Sequence, residues 1–137
     1  MNLALNKPST ASSSSNATDR APFNANDGDM GTRWGANQNG NDYWQVDLGA
    51  KYNLTKVNIY WEASYAQSYS IQVSDTGADG SWQTVYTNPA NASTANVIPL
   101  TGAAGRFVRM QADGNGPAGY GVSMYEFEVY GTPYAGK

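Results

Sequence analysis

Residues 24–34 read NANDGDMGTRW. Within this stretch, Asp27-Gly28-Asp29-Met30-Gly31-Thr32 crowds two carboxylates and a hydroxyl together, with glycines that let the backbone fold back on itself. Hard cations such as Ca²⁺ take oxygens from loops of that kind. The loop is not an EF-hand, which needs a glycine at its sixth position and a glutamate at its twelfth; counted from Asp27 these are Thr32 and Gln38. Asp-Gly is also a plain turn dipeptide, so the residues alone leave a cation loop and an ordinary turn both open. Arg33 and Trp34 follow directly. Neighbours in extended backbone point opposite ways, so Trp34 is expected in the core beneath the loop and Arg33 outside, on the loop end of the fold.

Two further positions stand out. Glu62 is one of only three glutamates and ends an alternating run, on the face opposite Val57, Ile59 and Trp61. Tyr120 sits between Gly119 and Gly121 in a long polar loop, poorly placed for a core and well placed as a mobile stacking platform. What is missing matters as much. The 137 residues contain no histidine and no cysteine. A Ser-His-Asp triad is therefore impossible within this chain, and no disulfide or thiol chemistry exists. Net charge is −3, and the eight Lys and Arg residues form no basic stripe, which argues against nucleic acid and against an anionic membrane surface. No apolar run approaches the roughly 18 residues of a membrane span.

The elements that must position these groups follow period two rather than 3.6. Residues 44–48, 57–61, 69–74, 82–86, 95–100, 106–111 and 125–130 alternate or cluster as short strands. Leu48-Gly49-Ala50, Asp75 to Gly80, Thr101-Gly102 and Asp113 to Pro117 read as the turns between them. Seven or eight short strands predict an all-β antiparallel sandwich of one domain. The first forty residues show little strand signal, and at most one short helical turn is expected around Arg20 to Asn24. Long loops at Ser12 to Ser15, Gly35 to Asp42 and Asp113 to Ser123 are where binding is usually placed on such a scaffold. The tail Thr132 to Lys137 reads as the start of a linker. The expected layout is one module over 1–133 and a linker remnant at 134–137.

Five stretches, in order, resemble the F5/8 type C, or discoidin, domain and in particular carbohydrate-binding module family 32. They are Asn2-Leu3-Ala4-Leu5-Asn6-Lys7-Pro8 with Thr10 to Ser13, Asp27-Gly28-Asp29 with Thr32 and Trp34, Trp44 to Gly49, Phe107 to Met110, and Glu126 to Gly131. The resemblance implies a jelly-roll-like sandwich and a structural Ca²⁺. By position its ligands would be Asp27, backbone oxygens near Asn24 and Asp29, Thr32, Glu126 and the Tyr125 carbonyl. The run Tyr60-Trp61-Glu62-Ala63-Ser64-Tyr65-Ala66 is similar to a branch of family 32 attached to bacterial glucanases and chitosanases. In that branch the arginine after the calcium loop and this glutamate hold the terminal sugar, which implies those roles for Arg33 and Glu62. Tyr120, Tyr65 and Asp19 complete the expected carbohydrate-binding set. Galactose-binding members use a histidine, absent here, which turns the expectation toward chitosan or β-glucan ends, with β-mannan or galactose-type sugars as alternatives. Chitosan-binding relatives use an additional acid in the first loop; here that region is Ser12 to Ser15, with Asp19 a few residues on.

The reading is a non-catalytic, secreted module, monomeric in itself, that binds oligo- or polysaccharide and targets an attached glycoside hydrolase. Few buried contacts in a shallow site set an expected Kd of roughly 10 µM to 1 mM. A small glycosidase would need two carboxylates flanking a cleft about 5–10 Å apart, for which Glu62 with Asp19 or Asp42 is the conceivable pair. A discoidin-type protein- or lipid-binding adhesion domain is the third reading; the lack of cysteine and the polar loops count against it.

Overall fold

The computed structural model describes residues 1–135. Gly136 and Lys137, the end of the expected linker remnant, lie outside the described residues. The strands are β1 (Ser9–Ala11), β2 (Trp34–Gly35), β3 (Tyr43–Trp61), β4 (Tyr69–Ser74), β5 (Gln83–Asn88), β6 (Ala95–Ala112) and β7 (Ser123–Pro133). A single 3-10 turn covers Pro22–Ala25, close to the helical turn expected there. All strand pairings are antiparallel, in the order β2-β7-β3-β6-β4-β5, with β1 added to β3. The all-β antiparallel expectation holds.

The segmentation differs from the sequence reading in an instructive way. Residues 44–48 and 57–61 belong to one 19-residue strand, and 95–100 and 106–111 belong to one 18-residue strand. Two of the glycines read as turns, Gly49 and Gly102, are corners inside continuous strands, whereas Asp75 to Gly80 and Asp113 to Pro117 do connect strands. Gly49 and Gly102 have φ of 86° and 72°, where only glycine sits without strain. The β3–β6 register shifts between Asp47 and Tyr52 and again between Leu54 and Lys56. Bulges of this kind bend a strand from one layer to the next.

Each long strand thus serves two layers. Residues 43–47 of β3 lie between β1 and the second half of β6, which in turn pairs with β4. Residues 52–61 lie between the first half of β6 and β7. The sheet curls so that these halves face each other over one core. Trp44 meets Phe127 across it at 4.8 Å between ring centroids, and Trp61 meets Tyr69 at 5.3 Å. Such pairs contribute about 0.5–1.5 kcal/mol each beyond their area burial. Val57, Ile59 and Trp61 point into the core as their alternation requires, and Trp34 is fully buried.

The two shortest strands carry little local signal because long-range pairing makes them. β1 exists through its ladder to Trp44, Gln45 and Val46. β2 exists through Trp34 opposite Met124 and Gly35 opposite Ser123. The N-terminal segment is stitched to β7 in the same manner: the Leu3 N–H donates to the Val129 carbonyl at 2.7 Å, and the Asn2 side-chain oxygen accepts from the Val129 N–H at 3.0 Å.

Candidate functional site

β2 and β7 build the floor of a cleft of about 740 Å³ at the loop end of the sandwich. Ser123, the first residue of β7, organises it. Its hydroxyl donates to the Trp34 carbonyl at 2.8 Å. Its carbonyl accepts from the Glu62 N–H at 3.0 Å, and its N–H donates to the Ser64 carbonyl at 2.9 Å. One buried serine therefore fixes the backbone on either side of the cleft: the segment carrying Arg33 and the one carrying Glu62. Arg33, Glu62 and Tyr120 all line this cleft.

Their chemistry is available to a ligand. Arg33 is half-buried, and among the described residues it pairs with no acid. Its Nε is sealed off from solvent, so the guanidinium presents only its outer nitrogens. Glu62 accepts the Ser64 N–H on Oε1 at 2.9 Å, and among the described residues Oε2 has no hydrogen-bond partner. A fork of donors thus shares a cleft with a free carboxylate oxygen, a combination suited to neighbouring hydroxyls or to an ammonium. Tyr120 is 64% exposed, with a ring face open to stacking.

The sequence suggests a mobile platform at Tyr120; the structure ties its backbone down. The Gly116 N–H donates to the Tyr120 carbonyl at 2.8 Å, and the Ser64 hydroxyl donates to the Gly121 carbonyl at 2.7 Å. A Cβ at Gly121 would collide with the carbonyl oxygens of Ala36 and Asn37. Only glycine lets the two loops approach this closely, and the remaining freedom is in the ring.

Not every sequence candidate converges here. Tyr65 is half-buried against the hydrophobic core and does not line the cleft. Asp19 lies on a smaller neighbouring cavity of about 330 Å³ with Thr18 and Asn24. Arg20 and Arg33 border both cavities. Asp42, conceivable as a glycosidase carboxylate, is only 2% exposed and bonded into the loops behind the cleft, so it cannot flank a substrate. The sequence reading missed Ser15, Arg20, Asn37 and Ser123. Only Arg20 carried a usable signal, as one of few cationic side chains in a loop. Ser123 acts through tertiary hydrogen bonds that leave no local pattern.

The acidic loop forms a second site beside the first. The Thr32 hydroxyl lies 2.6 Å from Asp27 Oδ2, 3.1 Å from the Asp29 carbonyl and 3.4 Å from the Asn24 carbonyl. The Asp29 carboxylate turns back to its own loop and accepts the Gly31 N–H at 2.7 Å. Glu126 reaches in from β7, with Tyr125 before it in the strand. Its Oε1 accepts the Gly28 N–H at 3.2 Å, and its Oε2 is buried without a partner. Burial, followed by the adjoining Asp27 carboxylate, pushes the Glu126 carboxyl up to about 8. Two carboxylates with carbonyl and hydroxyl oxygens make a donor set of the type hard cations take. Only two carboxylates contribute: among the described residues no group of three or more acidic, His or Cys side chains is placed to hold a metal, in this loop or elsewhere.

Comparison with known proteins places the fold in a family. Residues 24–110 match the F5/8 type C family model described as a NedA-like, galactose-binding domain. A search of curated proteins finds no match. Among solved structures, chitosan-binding module 1 of a chitosanase/glucanase from Paenibacillus sp. IK-5 is 38% identical, with a TM-score of 0.89 over 96% of this chain and 99% of that one. Chitosan-binding module 2 of the same enzyme, solved in complex with chitotriose, is 34% identical, with a TM-score of 0.88 over 95% and 100%. A fucose-binding module of Streptococcus pneumoniae, at 24% identity and a TM-score of 0.76 over 95% and 97%, shares the fold. With a family model covering well over half its length and relatives of this identity across nearly all of it, the chain belongs to the F5/8 type C family of galactose-binding-like domains and has the fold of a carbohydrate-binding module.

Proposed function

We propose that this chain is a non-catalytic module that takes the non-reducing end of a β-linked cell-wall polysaccharide, of chitosan or β-glucan type, into the Arg33–Glu62–Tyr120 cleft. The observation that carries the reading is the convergence of an arginine free of any acid among the described residues, a carboxylate with one free oxygen and an exposed tyrosine ring on a single cleft. The Arg33 fork donates to hydroxyls, Glu62 accepts hydroxyls or an amino-sugar ammonium, and Tyr120 covers a C–H face. The relatives at 34–38% identity, one of them solved with chitotriose, support a saccharide of the chitosan class. In its parent protein the module would be secreted and would hold an attached glycoside hydrolase on its substrate, raising effective concentration rather than turnover.

We further propose that Asp27 and Glu126, the carbonyls of Asn24, Asp29 and Tyr125, and the Thr32 hydroxyl hold a structural Ca²⁺. The buried, unpartnered Glu126 Oε2 fits that ion, because a carboxylate oxygen sealed from water without a partner is costly. Bound calcium supplies charge neutralisation and no step of chemistry. Asp27 and Glu126 then lock the acidic loop to β7 and steady the backbone leading into Arg33.

The test is an NMR titration of labelled protein against chitotriose and against laminarin, mannan and galactose oligosaccharides. Shifts confined to the loops around Arg33, Glu62 and Tyr120 are expected with chitotriose or laminarin fragments. Response to mannan or galactose alone would move the specificity to those sugars. Silence with all four would overturn the carbohydrate reading and bring protein or lipid partners forward.

A further inference from the structure

One wall of the cleft is made without strand pairing. Ser15, Asn37 and Gln38 line it, and they belong to the loops before and after β2 rather than to the sheet. Backbone bonds hold part of those loops, the Ser15 N–H donating to the Gly35 carbonyl at 2.8 Å and the Ser12 N–H to the Tyr43 carbonyl at 3.0 Å, and one buried side-chain oxygen joins the two loops to each other. Asp42 Oδ1 accepts the hydroxyls of Ser12 and Ser13, each at 2.6 Å, and the Asn39 side-chain amide at 3.3 Å. Ser13 passes the hold onward. Its hydroxyl oxygen accepts the Asn37 N–H at 3.0 Å, and its carbonyl accepts the Trp34 indole N–H at 3.0 Å. Ser12 in turn accepts the Tyr43 N–H at 2.9 Å. The backbone of Asp42 is itself anchored, its carbonyl accepting the Ala112 N–H at the end of β6 at 2.9 Å.

We infer that Asp42 is a positioning residue for ligand recognition: it ties the Ser12–Ser15 and Asn37–Asn39 loops to the rigid sheet and so sets the part of the cleft lined by Ser15, Asn37 and Gln38. This rests on the carbohydrate reading of the cleft. The residue type follows from the hydrogen-bond count. A carboxylate oxygen accepts several donors at once and offers none of its own, whereas an amide at this position has one accepting oxygen and an NH₂ that competes with the hydroxyls. The cost is visible in the same side chain, whose Oδ2 is buried and without a partner. A buried polar atom left unsatisfied is unfavourable for folding, so the arrangement is explained by what Oδ1 holds in place.

The experiment measures two properties in wild type, Asp42→Ala, Ser13→Ala and Asp42→Asn: amide hydrogen exchange at Asn37, and the Kd for chitotriose by calorimetry. Asp42→Ala and Ser13→Ala are expected to speed Asn37 exchange and to weaken binding about tenfold, through lost preorganisation of the wall. Asp42→Asn, which keeps one accepting oxygen, should fall between them and wild type. Ser13→Ala guards against a fold defect in the Asp42 variants, because it removes one donor to Asp42 and the relay to Asn37 while Ser12 and Asn39 stay on the buried carboxylate. Unchanged Asn37 exchange in both alanine variants would overturn the proposal, as would faster exchange with an unaltered Kd. Wild-type protein that binds no saccharide would overturn the function reading instead, and Asn37 exchange alone would then decide whether Asp42 holds the wall.

Discussion

Chelation should expose a dependence of stability on pH that has the opposite sign to ordinary acid denaturation. The folded-state pKa of Glu126 is raised from 4.5 to about 8. Its protonated form is therefore favoured by the metal-free fold, and its contribution to stability is fully present below pH 4.5 and lost as pH rises toward 8. The unfolded chain binds fewer protons than the native one across this window, so stability falls with rising pH. At 1.36 kcal/mol per pH unit, the gap from 4.5 to about 8 sets a ceiling of about 5 kcal/mol. Relaxation and water entry around an ionised Glu126 reduce this to roughly 2–3 kcal/mol. A domain of this size shifts its Tm by about 3–4 °C per kcal/mol, so the chelated protein should melt roughly 6–12 °C lower at pH 8 than at pH 5. Asp47 does not confuse the measurement. Its hydrogen bond and charge pairing with Arg106 hold it below 3.8, so its contribution is lost only at more acid pH. Excess Ca²⁺ should abolish the fall by stabilising the ionised pair Asp27 and Glu126, and Glu126→Gln should abolish it in the presence of chelator. Scanning fluorimetry at both pH values, with EDTA and with Ca²⁺, reads all of this. A chelated protein that melts at the same temperature at pH 5 and pH 8, or that calcium leaves unchanged at pH 8, would refute the reasoning.

Other perturbations separate the cleft from the scaffold. Glu62→Gln should leave the Tm within about 1–2 °C and weaken chitotriose binding by about 10–100-fold, since a charge-assisted contact becomes a neutral one; calorimetry checks it. Tyr120→Ala removes an exposed ring, so it should cost about 1–2 kcal/mol of binding with no loss of melting temperature, as measured by titration and scanning fluorimetry side by side. Gly121→Ala brings a Cβ against the carbonyls of Ala36 and Asn37. It should push the Tyr120 loop away, with large amide shifts over 116–123, binding lost by at least about tenfold and a stability cost of roughly 1–3 kcal/mol.

How much of this was legible in the sequence depends on whether the deciding interaction is local. Alternation placed Trp34 inside and put Glu62 at a strand end opposite the core stripe, because a period of two is a property of neighbouring residues. Alternation could not show that Gly49 and Gly102 are corners within strands: a glycine at positive φ serves a turn and a bulge equally, and only the partner strand decides. β1 and β2 were invisible because they exist through partners 33 and more positions away. Tyr65 and Tyr120 flank polar loops of similar composition, yet one packs against the core and the other stands 64% exposed. The difference lies in what each loop lands on. Asp42 was legible only as a carboxylate; its role depends on Ser12 and Ser13, some thirty residues away in sequence.

The two long bent strands have a kinetic consequence. Because β3 and β6 each run through both layers, neither layer can peel away without breaking a ladder in the other. Opening should therefore be cooperative, with tryptophan fluorescence and circular dichroism giving coincident unfolding transitions. Tyr43 pairs with Gln111 and Tyr52 with Pro133, 68 and 81 positions away. Such distant pairings place folding on the millisecond-to-second scale typical of β sandwiches. The same sharing of strands means that a displaced binding loop leaves both layers still joined through β3 and β6.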